Sequence, residues 1–393
     1  MPTLGIPNQS NDGETRVNLA PDAVRRLSAM GVSAILEAGA GELAGFPDRA
    51  FSEAGATIAA DAKQAWSSDI VATIRPPSAR EVGAMKEGAV LISMLRPLVN
   101  HDLVRACAGR SITALSYDLV PRITRAQAVD VLSAMASIAG YKAAILAAAH
   151  ASRMFPMLMT AAGTATPVRV FIIGAGVAGL QAIATCKRLG AIVEAFDLRP
   201  AVKEEVQSLG ARFVQFDVEA REAAGGYAAE QSDAAQARQR QQMKKVIAES
   251  DVVITTAMVP GKPAPRLIDD DMVRAMRAGS VIVDLAAEAG GNCALTKPGE
   301  TIIEHGVSII GETNLAATVP YHASQMLSRI LTTLVSWIVK DKSLAINFDD
   351  KVIDAMTVVH DGEVREPRVR EAMGLPPLRA PAESAGQREA AAT

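Results

Sequence analysis

An almost wholly apolar run, Val168 to Ile173, passes directly into Gly174, Gly176 and Gly179 and then into a helical stretch. A run of this kind belongs at the buried centre of a parallel sheet covered on both faces. The glycines at GxGxxG spacing then have separate tasks. Gly174 permits a tight turn, Gly176 lets a pyrophosphate approach the backbone, and Gly179 lets the helix lie against the strand with its first N–H groups facing the phosphates. Alone the spacing is weak evidence, because glycine-rich turns also serve plain packing. Asp197 strengthens it, standing 18 residues after Gly179 at the end of the next apolar run, Ile192 to Phe196. An acid there accepts hydrogen bonds from the adenosine ribose and repels a 2′-phosphate, so NAD(H) is expected over NADP(H). Arg199, two residues on, could attract that phosphate or be an ordinary surface cation.

Further strands are expected at Val252 to Thr255, Val281 to Leu285 and Val307 to Ile310. Nearer the N-terminus, Ala34 to Glu37, Ile70 to Ile74 and Val90 to Met94 alternate with helical stretches such as Pro21 to Met30, the pattern of a parallel sheet with crossover helices. Two long apolar helical windows, Gln127 to Ser152 and Ala323 to Val339, bracket the central unit. A chain of 393 residues exceeds one comfortable core. The expected fold is therefore α/β, with two Rossmann-like domains built on parallel sheets, the second inserted into the first and joined to it by the long helices. The first domain would take residues 1–130 and 323–375 and the second 131–322. The stretch 376–393, rich in Pro, Ala and charge, is expected to be a disordered tail.

Composition excludes several classes. Forty Lys and Arg against 43 Asp and Glu give a formal charge of −3 with no long run of either sign, which argues against a nucleic-acid partner. Cys107, Cys186 and Cys293 lie far apart without a CxxC pair, so no disulfide framework or metal site is expected and a reducing cytosol fits. The N-terminus lacks a basic stretch followed by an apolar block. No segment is expected to span a membrane, since the most apolar window, Ala126 to Ala149, is broken by Asp130 and Lys142.

A second constellation is Arg122, Gln127 and Asp130. If a helix begins near Thr124 as N-cap, Gln127 takes the place of a capping-box partner and Asp130 follows about one turn later. The plain alternative to a functional role is that capping box with a surface charge.

These residues lie within strings that carry a resemblance. PRITRAQAVDVLSAMASIAGYKA, AAGTATPVRVFIIGAGVAGLQAIATCKRLGAIVEAFDLRP, GGYA at Gly225 to Ala228, TTAMVPGKPAP at Thr255 to Pro265 and VIVDLAAEAGGNC at Val281 to Cys293 resemble the NAD(H)-binding component of the proton-translocating NAD(P) transhydrogenases. The likeness runs from about Ile6 to Trp337, and the alanine dehydrogenases are related. It implies direct hydride transfer from NADH to NADP⁺ bound on a partner component. It also implies NADP(H)-binding and membrane-spanning partner components, a homodimer, and a cytoplasmic chain attached peripherally to the inner membrane through its partners. Gln127 would position the nicotinamide, Arg122 and Asp130 would hold the loop, and Ser133 would add a contact. Val177, Thr255, Ala257 and Asn314 would join Gly174, Gly176, Gly179 and Asp197 around the cofactor. Tyr227 would belong to a mobile flap in the polar segment Asp217 to Gln242, hinged at Gly225-Gly226.

Two other functions compete. An alanine dehydrogenase binds a carboxylate and moves protons, for which that family uses a lysine and a histidine in its first domain. Here the corresponding strand ends, Thr73-Ile74-Arg75-Pro76 and Leu91 to Leu95, carry neither, and the family's Pro-Lys-Glu is replaced by Pro7-Asn8-Gln9. His101, His150, His305, His322 and His360 are expected at the surface or at helix ends. A non-catalytic dinucleotide-binding module is the remaining alternative, against which the retained Arg122, Gln127, Asp130 and Tyr227 speak.

Overall fold

The computed structural model describes residues 1–10, 13–216, 222–223, 227–228, 233–259 and 262–378. The chain divides into two compact units, one of Met1–Val131 with the chain from Ser324 onward, the other of Leu132–Ala323. Both boundaries fall at the beginning of a long helix, Val131–His150 and Pro320–Ile338.

The first unit carries an eight-stranded sheet. Its order is Glu363–Val364, Thr357–His360, Thr113–Ser116, Val90–Ser93, Ile70–Ala72, Thr3–Ile6, Ser33–Glu37, Thr57–Ala59. The six N-terminal strands are parallel, whereas Thr357–His360 and Glu363–Val364 form an antiparallel hairpin on one edge. Two serines tie the helix Pro320–Ile338 to the N-terminal segment. Ser324 Oγ accepts from the Val17 N–H and Ser328 Oγ from the Ala20 N–H, each at 2.9 Å.

In the second unit the order is Arg212–Phe213, Ile192–Phe196, Arg169–Ile173, Val252–Thr255, Val281–Asp284, Val307–Ile310, Thr301–Glu304. All neighbours are parallel except the last pair. The sheets are thus parallel-rich with antiparallel edges, in keeping with two Rossmann-like domains. Alternation along Arg169–Ile173 explains its composition. Val170 and Ile172 enter the core on one face, beneath Ala143, Ala144 and Ala147 of one helix and Ala182, Ile183 and Cys186 of another. Phe171 and Ile173 enter the opposite core with Met243, Ile247, Met272 and Val273. A strand apolar on both sides is required because both faces are covered.

The helix Val131–His150 is long and apolar enough, by length and composition, to cross a bilayer. It starts four residues later than the window expected from sequence, so Asp130 falls outside it and Lys142 is its one Asp, Glu, Lys or Arg. Ala143, Ala144 and Ala147 are nevertheless core residues, and a Cβ on Gly140 would lie 2.1 Å from the Ala178 carbonyl oxygen. That close approach fixes it against the helix Val177–Arg188, which follows the glycine turn.

All three cysteines are free and buried. Burial pushes the Cys107 and Cys186 thiols up to about 12, so neither presents a thiolate at neutral pH.

Candidate functional site

Strand order in the second unit reverses between Arg169–Ile173 and Val252–Thr255, and at such a point the carboxyl ends of the strands leave a ligand crevice. The three glycines stand there in different surroundings. Gly174 has φ +98°, its N–H donates to the Phe196 carbonyl at 2.8 Å, and a Cβ would sit 2.4 Å from Thr256 Oγ1. A Cβ on Gly179 would lie 1.9 Å from the Gly174 carbonyl oxygen, so the helix seats on the turn only without a side chain at that position. Gly176 is open, the nearest atom to its would-be Cβ being Arg199 Nη2 at 3.9 Å. It is also the helix N-cap and supplies no capping side chain, which leaves room for an anion at the positive helix end. The cradle fits the pyrophosphate of a dinucleotide: closed where the turn must be rigid, open where phosphate must approach. Val177, the first helical residue, is 42% exposed beside it.

Asp197 closes the far side. Its Oδ2 accepts from the Ala175 N–H at 2.8 Å and from Arg199 Nη2 at 3.2 Å; its Oδ1 accepts from the Arg199 N–H at 2.8 Å and Nε at 3.1 Å. The carboxylate therefore braces the glycine turn. Arg199, by sequence either a phosphate attractor or a surface cation, is bonded to that acid.

Two residues not singled out from sequence complete the crevice. Thr256 donates its hydroxyl to the Gly174 carbonyl at 3.1 Å, locking the turn to the neighbouring strand. Asn292, fully buried, accepts from the Ala257 N–H at 3.0 Å and donates to the Ala257 and Pro265 carbonyls at 2.8 and 2.9 Å. Its signal was the preceding Gly290-Gly291, both at positive φ, a turn that only glycines make freely and that sets the asparagine under the loop. Thr255 is enclosed and donates to Asp284 Oδ1 at 2.9 Å, so any contact it makes with a cofactor falls to its backbone. Asn314 is left-handed, with φ +52°, and its N–H donates to Glu288 at 2.9 Å. Ser133 lies in the first turn of Val131–His150, and its carbonyl accepts from Ser137 Oγ at 3.1 Å. The Tyr227 backbone pairs with Ala223, between the two-residue antiparallel strands Glu222–Ala223 and Tyr227–Ala228. Its side chain, with Gly225-Gly226 and most of the expected flap, lies outside the described residues.

The remaining candidates belong to the first unit. Residues Thr124–Val129 form a 3-10 turn whose N-cap is Ile123, with no side-chain cap, and the α-helix begins only at Val131. The capping box expected from sequence is absent: Thr124 does not cap, and among the described residues the exposed Gln127 side-chain amide has no hydrogen bond. The turn is pinned on both sides of it. Arg122 Nη1 meets Asp130 Oδ2 at 3.0 Å, while Arg125 pairs with Asp350 and stacks 4.7 Å over the Trp337 ring. Half-exposed pairs of this kind contribute only about 0–1 kcal/mol to stability. Their consequence here is geometric, holding Gln127 at a fixed place on the turn.

Asn8 and Gln9 also find their roles. Gln9 Oε1 accepts from the Ile74 and Arg75 N–H groups at 2.8 and 3.1 Å, and Asn8 Nδ2 donates to the Ala38 carbonyl at 3.0 Å. They tie strand ends together. At the strand ends Thr73 donates to Ser93 at 2.8 Å, and Ser93 to the Arg75 carbonyl at 3.1 Å, so the buried polar pair there is two hydroxyls.

Residues 5–139 match the N-terminal domain and residues 143–367 the C-terminal domain of the alanine dehydrogenase/PNT family. The chain is 45% identical to an NAD(P) transhydrogenase subunit alpha chain of Rhodospirillum rubrum, over 93% of this chain and 98% of that protein. It is 28% identical to the alanine dehydrogenase of Bacillus subtilis, over 98% of each. The solved structure of a transhydrogenase from Sinorhizobium meliloti is similar with a TM-score of 0.81 at 38% identity, covering 93% of this chain and 99% of that one. With both domain models matched along most of its length, the chain belongs to the alanine dehydrogenase/PNT family.

Proposed function

We propose that this chain is the NAD(H)-binding component of a proton-translocating NAD(P) transhydrogenase, delivering a hydride from NADH to NADP⁺ held on a separate component. The observation that carries this reading is the Gly174–Gly179 turn, locked by Thr256 and braced by Asp197, with its open face at Gly176. The nicotinamide supplies the chemistry, a hydride leaving or entering at its C4. The tasks of the chain are to bind, orient and exclude water. Gly176 and the first N–H groups of the helix would take the pyrophosphate and Asp197 the ribose, with Val177, Thr255, Ala257 and Asn314 around them. Gln127 would orient the nicotinamide end, supported by Arg122, Asp130 and Ser133, and Tyr227 would belong to a closing flap.

Direct transfer between two nicotinamides changes no protonation state on a substrate oxygen or nitrogen. It needs no acid or base, and the Thr73–Ser93 hydroxyl pair accords with that. An amino-acid dehydrogenase has to protonate and deprotonate at this place, so the same hydroxyl pair argues against it. The subunit would dock as a dimer, from the cytoplasm, on membrane components that hold NADP(H) and pass protons.

The purified chain is expected to bind NADH while transferring hydride to an NADP⁺ analogue only at the limit of detection, with transfer appearing when the NADP-binding component is added. Single-turnover absorbance of the two nucleotides reads this directly. Substantial transfer by the chain alone would reveal a second nucleotide site. Turnover of NADH with pyruvate and ammonia would replace the proposal by alanine dehydrogenase activity.

A further inference from the structure

Arg199 is bonded to the acid that, on the reading above, would take the ribose hydroxyls of a dinucleotide. Each Asp197 oxygen already receives two donors, and three of the four come from Arg199. A carboxylate has about four lone-pair sites in all, so in this structure the acid is fully engaged and holds the guanidinium by two of them. Arg199 Nη2 is also the nearest atom to the open face of Gly176. The pair is largely enclosed, with side chains 9% exposed for Asp197 and 24% for Arg199, so solvent screens it weakly. Its geometry is a two-nitrogen fork on a carboxylate, which an arginine offers equally well to a phosphate.

We propose that Arg199 is a specificity-determining residue of the dinucleotide site, a 2′-phosphate receptor kept masked by Asp197. The inference rests on the NAD(H) reading above and adds a second route to nucleotide choice. By the simple route a lone carboxylate repels the extra phosphate. In this structure the carboxylate is not alone, and its charge is offset by the guanidinium it holds. Asp197 therefore disfavours a 2′-phosphorylated dinucleotide mainly by keeping the arginine occupied. The two routes differ in one respect. Repulsion alone makes removal of the Asp197 charge equally helpful to NADPH whether or not Arg199 is present, while masking makes the benefit depend on Arg199.

The test is a double-mutant cycle read by equilibrium titration of NADH and of NADPH, following nucleotide fluorescence, on the wild-type chain, Asp197→Asn, Arg199→Ala and the double variant. Asp197→Asn is expected to improve NADPH affinity relative to NADH by about tenfold, the worth of one freed charge-assisted contact. In the Arg199→Ala background the same substitution is expected to gain less than about threefold. Arg199→Ala alone uncovers the carboxylate and removes the cation, so it is expected to widen the preference for NADH. Equal gains from Asp197→Asn in both backgrounds overturn the masking inference and leave the NAD(H) reading standing. Failure of the wild-type chain to bind NADH overturns that reading itself. Should Asp197→Asn not fold, Arg199→Ala decides alone, since an unchanged or narrowed preference in that variant overturns the inference.

Discussion

Gly179→Ala is expected to lose NADH binding by about a hundredfold or more and to lower the thermal midpoint, whereas Gly176→Ala is expected to lose binding with the midpoint unchanged. The added methyl at Gly179 would stand 1.9 Å from a backbone oxygen, which cannot swing aside as the end of a side chain can. The helix has to lift off the turn, and overpacking of this kind costs about 1–3 kcal/mol, a fall of several degrees in a unit this size. Lifting the helix also withdraws its first N–H groups from the pyrophosphate. Losing two charge-assisted hydrogen bonds at about 1.5 kcal/mol each gives the hundredfold figure. At Gly176 nothing lies closer than 3.9 Å and φ is −74°, so alanine is accommodated without strain. Its methyl then occupies the space kept for the phosphates, and affinity is expected to fall at least about tenfold. Thermal unfolding beside an NADH titration separates the two variants. Wild-type affinity in Gly176→Ala would mean that no phosphate approaches this face, and an unmoved midpoint in Gly179→Ala would mean that the helix is not seated by contact.

That contrast was only partly legible in the sequence. The run Val168 to Ile173 announced a doubly covered strand, and the observed strand is Arg169–Ile173 with its side chains divided between two cores. Ile192–Phe196, Val252–Thr255 and Val307–Ile310 fall where their apolar runs placed them, because each is buried enough for composition to outweigh everything else. Edge strands escaped notice for the opposite reason. Thr301–Glu304 has one side in solvent and a mixed pattern that reads equally well as loop. The C-terminal hairpin did carry a signal, Asp361-Gly362 between Thr357–His360 and Glu363–Val364, and both residues take the positive φ that such turns demand. At the site, glycine spacing conveyed what the backbone does. It could not convey which side chains close the crevice, since Asn292 acts on Ala257, 35 positions away. Nor could it show that Arg125, next but one to Gln127, is held by Asp350, 225 positions on.

Under the proposed function the pinning of that turn serves catalysis, and Gln127→Asn tests it. Gln127 sits exposed on the 3-10 turn Thr124–Val129, flanked by the Arg122–Asp130 pair and by Arg125 between Asp350 and Trp337. The absence of a capping bond removes the structural reason for an amide at this position, so its substitution should leave the turn and the fold as they are. Asparagine keeps the amide but shortens its reach by one methylene, about 1.5 Å. Under the proposed function the nicotinamide ring then loses its orientation, while the pyrophosphate at Gly176 and the ribose at Asp197 keep their contacts. Misplacement of reacting groups by about 1 Å can cost a hundredfold in rate. Hydride transfer in the reconstituted complex is therefore expected to fall at least about tenfold, well beyond any loss in NADH affinity. Single-turnover transfer is measured beside a direct titration of NADH on the isolated chain. Equal losses in the two would show that Gln127 holds the cofactor generally without orienting its ring, and normal transfer would leave the exposed amide without a part in the reaction.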